Sequence, residues 1–180
     1  MKKNRTALIV GIILVLMLII CAFLYLALSK PNYPKQVVNN PITGSTENLV
    51  IGEEHLLYVL SELGAYNLHN PPASGDTPKI EVLVDSDKFN AEVQGGKLSV
   101  QKGESSSPDI RISTTRSEVI SAISSGNVKE YMKSSVNSKK TNVELVEGYS
   151  RLFFKGYLTL YQEMTGKSMT GSVIRIFSQG

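Results

Sequence analysis

The feature that most constrains this chain is the uninterrupted apolar run of residues 7–28, ALIVGIILVLMLIICAFLYLAL. Its 22 residues include no Asp, Glu, Lys, Arg or His. As a helix rising 1.5 Å per residue it would span about 33 Å, and the hydrocarbon core of a bilayer is about 30 Å thick. The run therefore predicts a single transmembrane helix.

The charges beside this run predict its orientation. Lys2, Lys3 and Arg5 lie directly before it. Because positive residues are retained on the cytoplasmic side, residues 1–6 are expected in the cytoplasm and the rest of the chain outside it. Lys30 and Lys35 follow the run and weaken this asymmetry. The predicted location is the cell membrane, with one crossing.

Two other fates of the N-terminus are weighed against an uncleaved anchor. Ala27-Leu28-Ser29 has the small residues of a signal-peptide cleavage site, but the apolar part of a signal peptide is usually 7–15 residues long. Lipid modification of Cys21 is less favoured, because Ile20 precedes it and apolar sequence continues beyond it. We predict an uncleaved anchor.

A linker and one soluble domain are predicted after the anchor. Residues 29–47 contain Pro31, Pro34 and Pro41, which remove backbone donors and favour extended geometry. Residues 48–180 are enough for one domain of ordinary size.

Composition excludes several classes of function for this domain. From Asn48 onward, 14 Lys and Arg stand against 15 Asp and Glu, a net charge of −1. A nucleic-acid partner is not expected, because binding to phosphates requires a basic face. The one cysteine, Cys21, lies in the apolar run, so no disulfide is expected in the domain. His55 and His69 are too few to predict a metal site or a catalytic base with a nucleophile, and no cofactor is predicted.

Alternating apolar residues predict five strands, and Gly95-Gly96 predicts a hairpin turn between the second and third. The strands are expected at Lys79–Asp85, around Phe89–Val93, around Leu98–Val100, at Asp109–Ser113 and at Thr141–Glu147.

Helical spacing predicts four helices. The first is expected at Asn48–Leu63. The second begins with a capping box from Thr115 to Glu118, and Asn127 caps the third. The fourth is a continuous aromatic helix at Tyr149–Thr165, with Lys155 on its polar side. Val173–Phe177 fits either an edge strand or a packed tail.

Several short segments within Leu49–Thr165 resemble the sterol carrier protein family of non-specific lipid-transfer domains. These are Pro108-Asp109-Ile110-Arg111-Ile112 before the capped helix, Ser125-Gly126 at its end, and Val143-Glu144-Leu145-Val146-Glu147-Gly148 leading to Leu152. Two features differ from the family: Asn137-Ser138-Lys139 stands where a glycine is usual, and this chain has a predicted anchor.

The resemblance implies an α+β fold: one domain with a mixed five-stranded curved sheet covered by helices. In this chain, the domain would follow the single N-terminal transmembrane helix that the apolar run predicts. The resemblance also implies an apolar tunnel for a lipid, and it does not imply catalysis. Candidate lining residues are taken from the aromatic helix and the two helices before it: Ile120, Ile123, Met132, Phe153, Tyr157 and Tyr161.

Ordinary core packing would account for the same apolar residues, since any small domain buries such a stripe. Phe154 and Leu158 fit either an exposed lip or a wider buried face. We therefore expect a non-enzymatic, membrane-anchored domain outside the cytoplasm that binds or transfers an apolar ligand such as a lipid. The alternative is an envelope module with a filled core that binds a protein partner.

Overall fold

The computed structural model describes residues 11–22, 25, 33–72 and 74–168. The chain divides into two compact units, Met1–Pro31 and Asn32–Gly180. In the first unit, residues 11–22 are helical (α1) and their side chains are exposed. No helix within the described ranges is both long and apolar enough to cross a membrane.

Several predictions fall wholly or partly outside the described residues. The predicted anchor at 7–28 extends beyond α1 on both sides into residues outside these ranges. The basic residues at 1–6, the possible cleavage site at 27–29 and the tail at 173–177 also lie outside them.

The second unit is built on a mixed five-stranded sheet in the order β3-β2-β1-β4-β5. β1 pairs in parallel with β4, and the other neighbouring strands are antiparallel. The predicted α+β fold with a mixed five-stranded sheet is thus confirmed. The strands are β1 (Lys79–Val84), β2 (Asp87–Gln94), β3 (Lys97–Lys102), β4 (Ile110–Thr114) and β5 (Asn142–Leu145).

The alternating side chains of the sheet place its apolar face towards the core. Val82 of β1 is paired with Phe89 of β2 on one side and with Ile112 of β4 on the other, and all three are buried. Residues two apart on each strand share a face, so these pairs continue as an apolar surface along the sheet.

Five α-helices of the second unit are described, and α2 precedes the first strand. α2 contacts β3, α3 and α4, and α4 also packs against α6. These helices contribute to the same buried core as the apolar face of the sheet. They are α2 (Glu53–Glu62), α3 (Arg116–Ser124), α4 (Val128–Asn137), α5 (Tyr149–Phe154) and α6 (Tyr157–Thr165), with a short 3₁₀ helix at Ala65–Asn67.

The first predicted helix of the domain began too early. Residues 48–52 have no regular structure, and α2 begins at Glu53 after Gly52 as N-cap. Arg116 binds this segment, because its guanidinium donates to the backbone oxygens of Thr46, Glu47 and Leu49. These carbonyl oxygens therefore accept hydrogen bonds from a side chain rather than from the backbone N–H groups of a helix.

The prediction of one continuous aromatic helix was also wrong. Gly156 has φ +85°, a left-handed conformation that ends α5 and starts α6. Such a conformation strongly favours glycine. At this break, the carbonyl of Lys155 accepts a hydrogen bond from the backbone N–H of His69 at 3.2 Å. The break also places the Lys155 side chain inside the domain, where it is buried rather than on the predicted polar side.

The capping box at α3 is only half formed. The hydroxyl of Thr115 accepts from the backbone N–H of Glu118 at 3.4 Å, as predicted. The Glu118 side chain instead enters the domain and binds the hydroxyls of Tyr131 and Ser135.

Candidate functional site

The candidate ligand site is a small apolar cavity beneath α2. Its walls come from the buried face of α2, the neighbouring strands β1 and β4, and helices α3 and α4. Its volume is about 20 Å³. The lining residues are Leu56, Val59, Leu60, Leu63, Val82, Ile112, Thr114, Val119 and Met132.

The sequence pattern explains why these side chains meet. Leu56, Val59, Leu60 and Leu63 recur at three- and four-residue steps, which places them on one side of α2. Val82 and Ile112 face each other across the parallel pair of β1 and β4. A helix stripe and a sheet face thus enclose the cavity, as expected for an α+β domain.

Thr114 contributes the one hydroxyl among the lining side chains, and that group has a partner. Its Oγ1 lies 2.8 Å from Oγ1 of Thr141, which lies 2.8 Å from Oγ of Ser135. Ser135 donates to Glu118 at 2.7 Å. The cavity is therefore apolar, with a polar network behind the wall that Thr114 forms.

Glu118 is the acidic end of this network and is 8 % exposed. Burial alone would raise the pKa of Glu118, but hydrogen bonds from Ser135 and Tyr131 and the charge of Lys140 outweigh it, so the pKa is lowered. Since the carboxylate has these partners, it is well placed as a structural anion that joins α3 to α4.

The six predicted lining residues do not all meet at the cavity. Met132 lies in its wall, and Ile123 is buried in the surrounding core. Ile120, Phe153 and Tyr161 are half-buried. Tyr157 is fully buried, but its hydroxyl donates to Asp109 at 2.9 Å and to the carbonyl oxygen of Lys79 at 3.1 Å.

Sequence reasoning missed the α2 side of the site. Leu56, Leu60 and Leu63 lie in the predicted helix at Asn48–Leu63, but none of them is among the candidate lining residues. The signal was their spacing together with the predicted strands, since a helix stripe must pack on some apolar face. The two positions with alternative interpretations, Phe154 and Leu158, are both half-buried.

A cluster of buried ion pairs, formed by Lys155 with Asp109 and Asp76, lies outside the cavity lining. Lys155 Nζ lies 2.6 Å from Oδ1 of Asp109 and 3.0 Å from Oδ2 of Asp76. Asp109 Oδ2 also accepts from the backbone N–H of Lys79 at 2.7 Å. Because Tyr157 donates to the same carboxylate, the cluster ties the α5–α6 break to the starts of β1 and β4.

The two histidines occupy separate environments. His55 is buried on α2, where Nδ1 accepts from the backbone N–H of Gly52 at 3.1 Å. Its Nε2 is buried without a hydrogen-bond partner in the described structure. His69 lies in a loop, with Nδ1 3.2 Å from the carbonyl oxygen of Asn70. The described residues contain no group of three or more His, Cys, Asp or Glu placed to hold a metal ion.

No protein-family model and no curated protein matches the sequence. Among solved structures, "UbiJ-SCP2 Ubiquinone synthesis protein" is similar with a TM-score of 0.32 and 12% identity, over 60% of this chain and 76% of that chain. The solution NMR structure of palmitated SCP2L2 from Aedes aegypti is similar with a TM-score of 0.33 and 13% identity, over 59% and 91%. These structural neighbours are SCP2-like domains.

Proposed function

We propose that this protein is a membrane-tethered, non-enzymatic domain that binds or transfers an apolar ligand beneath α2. Residues 7–28 anchor it, and the domain lies outside the cytoplasm, as the basic residues before the anchor predict. The observation that carries the proposal is the apolar cavity between α2 and the sheet. The sequence resemblance to the sterol carrier protein family supports the same type of ligand.

The size of the cavity sets a condition on this function. A cavity of about 20 Å³ has room for about one water-sized group, whereas sites for drug-sized ligands measure about 300–1,000 Å³. A lipid chain therefore requires α2 to move away from β1 and β4. The ligand would replace contacts between apolar side chains with contacts to its own methylene groups.

The ends of α2 are suited to such a movement. At its N-terminus, the backbone N–H of Gly52 is held by the His55 imidazole. At its C-terminus, Gly64 has φ +87° and turns the chain into the 3₁₀ helix. Leu56 and Leu60, between these ends, meet the rest of the core through apolar contacts, which a lipid chain can replace.

Photo-crosslinking tests the proposal on the full chain in phospholipid vesicles. The probe is a fatty acid with a diazirine in its acyl chain, and mass spectrometry locates the adducts. We expect adducts on peptides that contain Leu56–Leu63 and Met132, in addition to those on residues 7–28. Adducts confined to the N-terminal run would refute ligand binding by the domain.

A matched pair of substitutions makes the test specific. Val59→Phe fills the cavity and should reduce cavity adducts at least tenfold, provided that circular dichroism shows a folded domain. Val50→Phe makes the same change at an exposed position, where Val50 is 75% exposed, and should leave them unchanged.

A second candidate function is supported by the same small volume. A core this well filled suits an envelope module that binds a protein partner and takes no ligand. No adduct on the cavity peptides of the native chain would favour this candidate.

A further inference from the structure

A second groove, which carries charged side chains, lies beside the apolar cavity, at the C-terminal end of α2. It is open to solvent and has a volume of about 190 Å³. Residues from the segment before α2, from the 3₁₀ helix and from α2, α4 and α6 line it. The charged and polar side chains among them are Lys35, Ser61, Glu62, Tyr66, Asn67, Lys129, Thr159 and Glu163.

Leu63 lies in the linings of both the groove and the cavity. It is 1% exposed, at the end of α2, and Gly64 follows it with φ +87°. The groove and the cavity therefore meet at the Leu63 side chain. A molecule with a polar end and an apolar end could occupy both spaces once α2 moves away from the sheet and Leu63 turns aside.

The groove carries two positive and two negative side chains, arranged as two ion pairs. Lys35 Nζ lies 2.7 Å from Oε1 of Glu62, and Lys129 Nζ lies 3.2 Å from Oε2 of Glu163. All four side chains are partly exposed, between 29% and 51%. Ion pairs this exposed contribute little to stability, so a ligand can exchange partners with them at little cost.

Lys35 carries its charge at neutral pH. The hydrogen bond to Glu62 raises the pKa of Lys35, against a smaller lowering by burial. The groove is thus a neutral site with separated charges of both signs. A ligand group of one charge can pair with only two of these side chains, whereas a group that carries both charges can pair with all four.

We propose that this groove binds the zwitterionic headgroup of a lipid whose acyl chain passes Leu63 into the cavity beneath α2. The phosphate lies between Lys35 and Lys129, and the ammonium group lies towards Glu62 and Glu163. The inference rests on the proposed function, which supplies the site for the chain.

The test uses two phospholipid probes with the same diazirine-bearing acyl chain, one with a phosphocholine and one with a phosphoglycerol headgroup. Each is added in trace amount to the full chain in vesicles of equal parts phosphatidylcholine and phosphatidylglycerol. We expect at least threefold more adducts on the Leu56–Leu63 and Met132 peptides with the phosphocholine probe. Equal labelling by both probes would overturn the inference but leave the proposed function standing. No cavity adduct with either probe would overturn both.

Substitution of the groove carboxylates tests the headgroup preference more directly. Glu62→Gln with Glu163→Gln leaves two lysines in the groove and should invert the preference, so that the phosphoglycerol probe labels the cavity more. Glu104→Gln with Glu130→Gln makes the same net change at two other lysine pairs and should keep the native preference. An inversion in both double variants would show a general surface-charge effect and overturn the inference.

Free phosphocholine distinguishes a lipid headgroup from a soluble zwitterion. Because the acyl chain supplies most of the binding energy, millimolar phosphocholine should reduce cavity labelling by less than half. Complete suppression would show that the groove is a site for a soluble compound and would overturn the lipid inference.

Discussion

Replacement of Lys155 by methionine tests whether the buried ion-pair cluster fixes the fold. Methionine keeps the length of the side chain and removes the ammonium group. Both Lys155 and Asp109 have side chains that are 2% exposed, so water cannot replace the lost partner. Asp109 keeps its donors from the Tyr157 hydroxyl and the Lys79 backbone, but its charge is left without a cation in contact.

Removal of one partner of a buried pair typically costs about 3–5 kcal/mol. Domains of this size are stable by about 5–15 kcal/mol, so Lys155→Met should remove a large part of the free energy of unfolding. With an m-value of about 2 kcal/mol/M, the urea midpoint should fall by about 2 M. Circular dichroism of residues 32–180, one of the two compact units, measures this midpoint.

Two comparisons make the result decisive. Lys88→Met removes an exposed lysine that lies 2.6 Å from Glu104, and the midpoint should stay unchanged within error. Lys155→Met with Asp109→Asn removes both charges and should be more stable than Lys155→Met alone. A loss below about 1 kcal/mol, or a double variant with the summed cost of the single ones, would refute the argument.

Three further predictions concern single positions. Gly156→Ala should destabilise the domain by about 1–2 kcal/mol because φ is +85°, whereas Gly148→Ala, at φ −64°, should change the thermal midpoint little. The lowered pKa of Glu118 means that its stabilisation is present above the ordinary value of 4.5 and is lost as the pH falls through the folded-state pKa. Glu118→Gln should flatten the pH dependence of the urea midpoint in that range; an unchanged slope would contradict this. Gln36→Leu removes the acceptor for the Leu98 backbone N–H at 3.2 Å, and faster amide hydrogen exchange at Leu98 is expected.

The sheet was predictable because its signals are local. Alternation in β1 and β4 and the Gly95-Gly96 turn each depend on residues close in sequence. The family resemblance predicted a sheet with both parallel and antiparallel pairs, and the sheet of the structure has the five strands that were predicted. These signals agree with the sheet that forms, as expected for a sequence without conflict between local and tertiary preferences.

Two of the errors involve residues whose partners are distant in sequence. Lys155 lies among the polar positions of a helical pattern, yet it is buried because Asp109, 46 residues earlier, lies at the start of β4. Arg116 binds the backbone of the segment before α2 from 67 residues away. Periodicity reports which face of a helix is apolar, and it cannot report a charge pair of this kind.

The cavity could not be predicted from the sequence either, for a different reason. Apolar spacing identifies core residues, but a cavity is the space that remains after they pack, and its volume depends on rotamers and helix position. Met132 was a candidate and lies in the wall, while Phe153 and Tyr161 are half-buried elsewhere.

The distribution of polar contacts indicates which part of the domain moves when a ligand enters. Lys155 joins α5 and α6 to the strands through buried charges, and Glu118 joins α3 to α4 through buried hydrogen bonds. The corresponding bonds of α2 lie nearer the surface: Glu53 accepts from the β3 backbone at 2.8 Å, and Glu62 pairs with Lys35. Breaking these exposed bonds costs less than breaking the buried ones, since water replaces the lost partners. Ligand entry is therefore expected to displace α2 while α3–α6 and the sheet stay in place.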